Sequence, residues 1–137
     1  KTANEYLKEK GCITDIQIIN DKSNPQQKGS SLVLWAETDT GAILGADAIG
    51  ELRKTSETVG MEAAEKLYAE ISAMPTVDVH LADMLIPYMA LAKEKSAYLT
   101  RTISEHLETN IWLAEKILNA KFTVKRVNGL YKIERTS

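Results

Sequence analysis

Cysteine is nearly absent from this sequence: Cys12 is the single one in 137 residues. It has no partner within the chain for a disulfide, and no Cys/His cluster has the spacing of a zinc site. A reducing, cytoplasmic setting follows as the expectation. No apolar run approaches the ~18 residues of a membrane helix, and the N-terminus lacks the pattern of a signal peptide. Gly41, Gly45 and Gly50 do not fit G-x-G-x-x-G, and no other glycine-rich phosphate loop has the required spacing. Charge of one sign is also lacking: 17 Lys and Arg stand against 19 Asp and Glu, a net −2. That argues against a non-specific grip on nucleic acid through bulk charge. It leaves room for a local basic patch, because phosphate binding needs only a few groups. Internal repeats and low-complexity tracts are missing too. The chain opens on Lys1 rather than Met, so a longer parent protein is expected.

What is present suits a globular chain with a real core. Hydrophobic residues make up 44% and charged residues 26%, which is ordinary for a folded domain or two small ones. Thr2 to Lys10 reads as a short helix stopped at Gly11. Ile13–Ile19, Ser31–Glu37 and Ala42–Ile49 read as strands. Asn20 to Ser30 reads as a loop, and Asp39-Thr40-Gly41 as a turn. Ser56 to Ala73 has the spacing of a helix, with Ser56 as N-cap and Val59, Ala63, Leu67, Glu70 and Ile71 on one face. Met74-Pro75-Thr76 breaks the chain.

Asp78 then caps a helix running to about Lys93, with Leu81, Leu85, Tyr88, Met89 and Ala92 as the expected buried face. Pro87 inside it predicts a kink. Ala97 to Ile103 reads as a strand. Ser104 or Glu105 opens a further helix to about Asn119, with Leu107, Ile111, Ala114 and Leu118 on its core face. Lys121–Val127 and Leu130–Glu134 flank Asn128-Gly129, the strongest short hairpin signal. The order predicts an α+β fold of two small lobes joined near Pro75.

Chemistry-bearing residues are few. Histidine occurs twice, as His80 and His106. His80 and Asp83 share one side of their helix, which Pro87 continues. The bland reading is a solvated polar face; the functional one is the polar wall of a cleft. His106 falls at the start of the next helix, where free backbone N–H groups suit an anion such as a phosphate. The helix dipole also favours a neutral, nucleophilic imidazole there, although an exposed histidine in a first turn needs no function. His80, Asp83 and His106 together also have the residue types of a two-His, one-carboxylate metal site. Trp35 and Trp112 are expected to pack in the lobes rather than stack on bases. Lys121, Lys125, Arg126, Lys132 and Arg135 make the last hairpin basic, as a phosphate-tracking edge or simply a solvated one.

Two runs at this spacing carry a resemblance. The first is Asp78-Val79-His80-Leu81-Ala82-Asp83-Met84-Leu85-Ile86-Pro87-Tyr88-Met89-Ala90-Leu91-Ala92. The second is Ser104-Glu105-His106-Leu107-Glu108-Thr109-Asn110-Ile111-Trp112. Both resemble motifs of the RNA 3′-terminal phosphate cyclases. Gly29 to Glu37 and Leu44-Gly45-Ala46-Asp47-Ala48-Ile49-Gly50 are similar to the archaeal-type members. The resemblance covers nearly the whole chain, with Ser56 to Ala73 matching in pattern more than in motif.

The resemblance implies the C-terminal portion of a longer enzyme built from βαβαββ repeats and an inserted thioredoxin-like domain. On that view residues 1–75 are the later part of the insert, and residues 76–137 the C-terminal part of the catalytic domain. It implies ATP-dependent conversion of an RNA 3′-terminal phosphate to a 2′,3′-cyclic phosphate, with Mg or Mn, through a covalent His–AMP at His106. His80, Asp83 and Met84 correspond to the adenylate pocket. Where other members often carry Tyr, His80 keeps a flat ring for stacking. Where they often carry Gln, Met84 cannot hydrogen-bond an adenine edge.

The implied partners are RNA 3′-phosphate ends, ATP and the missing N-terminal part of the same protein, with no membrane. These residues alone are expected to be inactive. The alternatives are a non-catalytic cyclase-like scaffold in ribosomal RNA processing and a metal enzyme using His80, Asp83 and His106. Scaffold relatives lack the nucleophilic histidine, so His106 favours the enzyme.

Overall fold

The computed structural model describes residues 1–19 and 29–136. Among them, four α-helices and five strands run in the order α1 (Thr2–Glu9), β1 (Ser31–Glu37), β2 (Ile43–Ile49), α2 (Ser56–Ala73), α3 (Val79–Leu91), β3 (Ser96–Thr100), α4 (Glu105–Ile117), β4 (Phe122–Val127) and β5 (Leu130–Arg135). The fold is α+β with two small sheets, β1-β2 and β3-β5-β4. Lys1–Trp35 with Gly45–Ala69 form one compact unit, and Ala36–Leu44 with Glu70–Ser137 the other.

In the first unit, α1 ends where Gly11 takes a positive φ of 84° and its N–H bonds to Lys8. The β1-β2 hairpin alternates along both strands, because successive side chains point to opposite faces. Leu32, Leu34 and Ala48 turn inward against Val59 and Ala63 of α2. Val33, Trp35 and Ile49 point out to solvent. The expected packing of Trp35 therefore fails: it is 62% exposed, and Trp112 on α4 is 57% exposed. Tyr6 of α1 meets Tyr68 of α2 edge to face at 6.2 Å. The Lys10 ammonium lies 5.5 and 5.3 Å from the two ring centres.

Two other expectations need correction here, and a third is mostly beyond the described residues. Ile13 to Ile19 is not a strand, although its residues alternate. Ile13, Ile16, Ile18 and Ile19 are all exposed; a strand needs a partner to bond, and none is paired with it among the described residues. Most of the expected loop at 20–30 lies outside the described residues. The α2 cap is Thr55 rather than Ser56: its Oγ1 accepts from the Thr58 N–H at 3.2 Å.

In the second unit, α3 and α4 lie against one face of the antiparallel sheet. Tyr98 pairs with Ile133, and Ile133 with Val124. Tyr98, Ile133, Phe122 and Tyr131 join Ala82, Ile86, Met89, Leu107 and Ala114 in one core. Asn128 and Gly129 have φ of 49° and 86°, the left-handed pair that a two-residue hairpin requires. Lys132 on the opposite face of the sheet is paired with Glu134. Thr76 covers the outer edge of β3: its Oγ1 accepts from Leu99 N–H at 2.8 Å, and its N–H donates to Leu99 O. Thr76 and Val77 thus occupy the N–H and carbonyl of Leu99 on that edge.

The helix break comes where Met74 takes a φ of 54°. The expected α3 face is partly wrong. Ala82, Ile86, Met89 and Ala90 are buried, whereas Leu81 and Tyr88 are exposed. Likewise α4 buries Leu107 and Ala114 but leaves Leu118 exposed.

Candidate functional site around the start of helix α4

Two adjacent helix starts position the chemistry. Asp78 caps α3, its Oδ1 accepting from Leu81 N–H at 2.8 Å. Ser104 caps α4, its Oγ accepting from Leu107 N–H at 3.0 Å. Each cap satisfies one of the N–H groups that a helix start leaves without an intrahelical partner. Leu107, fully buried, anchors this first turn in the core. His106, one residue earlier, is thereby turned outward and exposed.

On α3, His80 and Met84 are exposed and Asp83 is half-buried. His80, Asp83, Met84 and Pro87 recur at helical spacing along one side. Tyr88 and Leu91 extend the exposed, largely apolar surface of this helix.

Asp83 joins the two helices. The Ser104 hydroxyl donates to Asp83 Oδ1 at 2.6 Å. The Asn110 side-chain amide donates to the Asp83 backbone oxygen at 2.9 Å. Ser104 and Asn110 bracket His106 on α4. Next to this junction, the buried Tyr98 hydroxyl donates to Ala82 O at 2.7 Å. Burial holds the Tyr98 phenol well above its ordinary range, and the Asp83 carboxylate adds to the effect.

The structure thus brings Asp83 to the start of the His106 helix, with His80 and Met84 on the same helix as Asp83. It does not assemble the two-His, one-carboxylate metal site: among the described residues, no group of three or more His, Cys, Asp or Glu side chains could hold a metal ion. Cys12 is half-buried. The basic hairpin is partly occupied by its own contacts. Arg126 lies over the Tyr131 ring at 5.7 Å, and Lys132 is paired with Glu134 at 3.2 Å. Arg135 reaches the Glu94 backbone oxygen at 3.4 Å.

Sequence reasoning missed Ser104 beyond its capping role, and it missed Asn110 and Arg101. The guanidinium of Arg101 pairs with Glu70, which is only 3% exposed. A signal for Asn110 existed: Pro87 stands four residues after Asp83 and removes the N–H that would bond the Asp83 carbonyl.

Comparison with known proteins agrees with the two motifs. Residues 1–72 match the family model described as RNA 3′-terminal phosphate cyclase (RTC), insert domain. An RNA 3′-terminal phosphate cyclase of Pyrobaculum neutrophilum is 43% identical over 136 residues, covering 98% of this chain and 38% of the relative. Those of Pyrobaculum aerophilum and Caldivirga maquilingensis are 42% and 39% identical, with 98% and 97% of this chain covered and 38% of each relative. The chain thus spans 38% of the length of these curated relatives. With two motifs in place and the family model matching more than half of this chain, the chain belongs to the RNA 3′-terminal phosphate cyclase family.

Proposed function

We propose that this chain supplies the nucleotidyl-accepting histidine of an ATP-dependent RNA 3′-terminal phosphate cyclase. The observation that carries the reading is the exposed His106 in the capped first turn of α4, tied through Ser104 to Asp83 on α3. Residues 1–75 are the later part of the insert, with a thioredoxin-like fold when complete. Residues 76–137 are the C-terminal part of a βαβαββ-type catalytic domain. The relatives are much longer, so the reaction belongs to a longer cytoplasmic protein, and these residues alone do not complete it.

In the first step an imidazole nitrogen of His106 attacks the α-phosphorus of ATP. The bond from that phosphorus to the oxygen bridging the β-phosphate breaks, and pyrophosphate leaves. The remaining ring proton passes to solvent, leaving the imidazole ring of the phosphoramidate uncharged. An oxygen of the RNA 3′-phosphate then takes the adenylyl group from His106. The neighbouring 2′-hydroxyl attacks the activated phosphorus, AMP departs, and the 2′,3′-cyclic phosphate closes. The N-terminal N–H groups of α4 offset charge on the nucleotide phosphate. His80 offers a ring for stacking on adenine, and Met84 an apolar contact. Asp83 belongs to the same pocket wall. Mg or Mn would accompany the nucleotide. The described residues do not form a site for it, and no step above is assigned to it.

Covalent labelling tests the reading. The complete protein carrying these residues is incubated with α-³²P-ATP and Mg²⁺ or Mn²⁺ and run on a denaturing gel beside His106→Ala. An acid-labile, base-stable label that disappears in His106→Ala is the expected result. A label that persists in the variant overturns His106 as nucleophile. No label in a folded protein favours instead a non-catalytic cyclase-like scaffold in ribosomal RNA processing.

A further inference from the structure

Helix α3 contains a proline four residues after Asp83. In an uninterrupted helix the N–H of residue 87 would bond the carbonyl of residue 83. Pro87 has no N–H, so the Asp83 carbonyl has lost its intrahelical donor. The Asn110 amide of α4 takes that place at 2.9 Å. The side chain of the same Asp83 accepts from Ser104 Oγ at 2.6 Å. The Ser104 hydroxyl works in both directions: its hydrogen goes to Asp83, and a lone pair receives Leu107 N–H at 3.0 Å. One residue of α3 therefore grips α4 twice, at Ser104 before His106 and at Asn110 one turn after it.

We propose that Asp83, Ser104 and Asn110 form a clamp that positions His106 for attack, and that Pro87 exists in α3 to free the carbonyl the clamp uses. The proposal rests on His106 being the nucleophile. The physical reason is that attack on phosphorus needs the ring nitrogen held near the phosphorus and in line with the leaving oxygen. His106 is exposed, so the core does not hold its ring. What can be held is the helix turn that carries it, and the two hydrogen bonds fix that turn in height and rotation against α3. Asp83 and Ser104 also form a charge-assisted chain into the first turn, stronger than a neutral pair. Asp83, Ser104 and Asn110 are positioning residues in this scheme, acting through His106.

The Pro87 relation supplies a test that a merely structural role would not pass. The complete protein is prepared as Asn110→Ala, Pro87→Ala and the double variant. Each is followed by thermal unfolding and by the rate of His106 labelling from α-³²P-ATP as ATP is varied. In Asn110→Ala the Asp83 carbonyl is orphaned, so stability falls. The maximal labelling rate falls roughly tenfold to a hundredfold, while the ATP concentration for half-maximal rate stays nearly constant. In the double variant residue 87 has an N–H for that carbonyl. Stability returns, and the labelling rate does not, because the grip on α4 is still missing.

Recovery of both properties in the double variant overturns the proposal, since Asn110 would then only satisfy a carbonyl. A higher half-maximal ATP concentration with an unchanged maximal rate also overturns it, in favour of direct contact with nucleotide. Ser104→Ala and Ser104→Thr provide an independent arm. Thr keeps the hydroxyl and should recover the labelling rate lost in Ser104→Ala; equal loss in both overturns the Ser104 half of the clamp. Label retained in His106→Ala overturns the nucleophile itself, and the clamp's purpose with it. That result is distinct from normal His106 labelling that the clamp variants leave unchanged, which overturns the clamp alone.

Discussion

Arg101 Nε donates to Glu70 Oε1 at 3.1 Å, and its Nη2 forms an ion pair with the same oxygen at 3.1 Å. Glu70 sits near the C-terminal end of α2 and Arg101 follows β3, so the pair joins segments distant in sequence. The carboxylate is buried while the guanidinium is partly exposed. Burial pushes the Glu70 carboxyl above its ordinary range. The Arg101 charge opposes that shift, and Asp78 nearby adds to it.

The sign of the pH dependence follows. A carboxyl whose pKa is raised on folding binds more protons folded than unfolded, so stability falls as pH rises from its ordinary value of 4.5 towards the raised one. Glu70→Gln removes this component. Its melting temperature relative to the unmutated chain should climb as pH rises through that interval, measured by circular dichroism from pH 4 upward. Arg101→Ala should cost about 2 kcal/mol at neutral pH, because it leaves a buried charge without its partner. A flat difference between Glu70→Gln and the unmutated chain across the interval contradicts the account.

Glu62 should behave in the opposite sense. Hydrogen bonds from Lys54 and then Lys66 hold its carboxyl down at about 2. Folding therefore favours the ionised form. The contribution is present above the ordinary value of 4.5 and is lost as pH falls from there to about 2. Glu62→Gln should lower the melting temperature slightly at pH 7 and not at all near pH 2. Added salt should shrink the difference, because the group faces solvent. An effect that grows on acidification rules this out.

Tyr98 gives a test of the core. Its hydroxyl donates to Ala82 O at 2.7 Å from a buried position. Tyr98→Phe keeps the ring packing and removes the donor, so the expected loss is about 1–2 kcal/mol in denaturant unfolding. The phenol's raised pKa predicts a further observable. Folding favours the protonated phenol, so stability should fall as pH rises above 10 towards the raised value. Tyr98→Phe should show less of this alkaline loss than the unmutated chain. Equal alkaline sensitivity in both would count against the buried phenol as its source.

Much of the architecture could be read locally. Ser31–Glu37 and Ser56–Ala73 match their expected bounds, and Asn128-Gly129 forms its turn. In each case neighbouring residues dictate the outcome through alternation, helical spacing or tolerance of positive φ. Thr55 and Ser56 show the limit of that reading, since both are good caps and only the backbone path chose between them. Helix α3 shows another. Its residues are apolar almost all the way round, so periodicity could not decide that Leu81 and Tyr88 face out while Ala82 and Ile86 face in.

The sequence by itself determined most of the element types, the cap Asp78, and His106 in the first turn of a helix, because those depend on residues within one turn of each other. It also carried the family motifs. Only the tertiary structure decided that Ile13–Ile19 has no strand partner among the described residues, and that Trp35 and Trp112 stay exposed. It alone paired Glu70 with Arg101, and Asp83 with Ser104 and Asn110. Those outcomes depend on which surfaces meet, and a hydrogen bond between residues more than twenty positions apart exists only once packing has brought its donor and acceptor together.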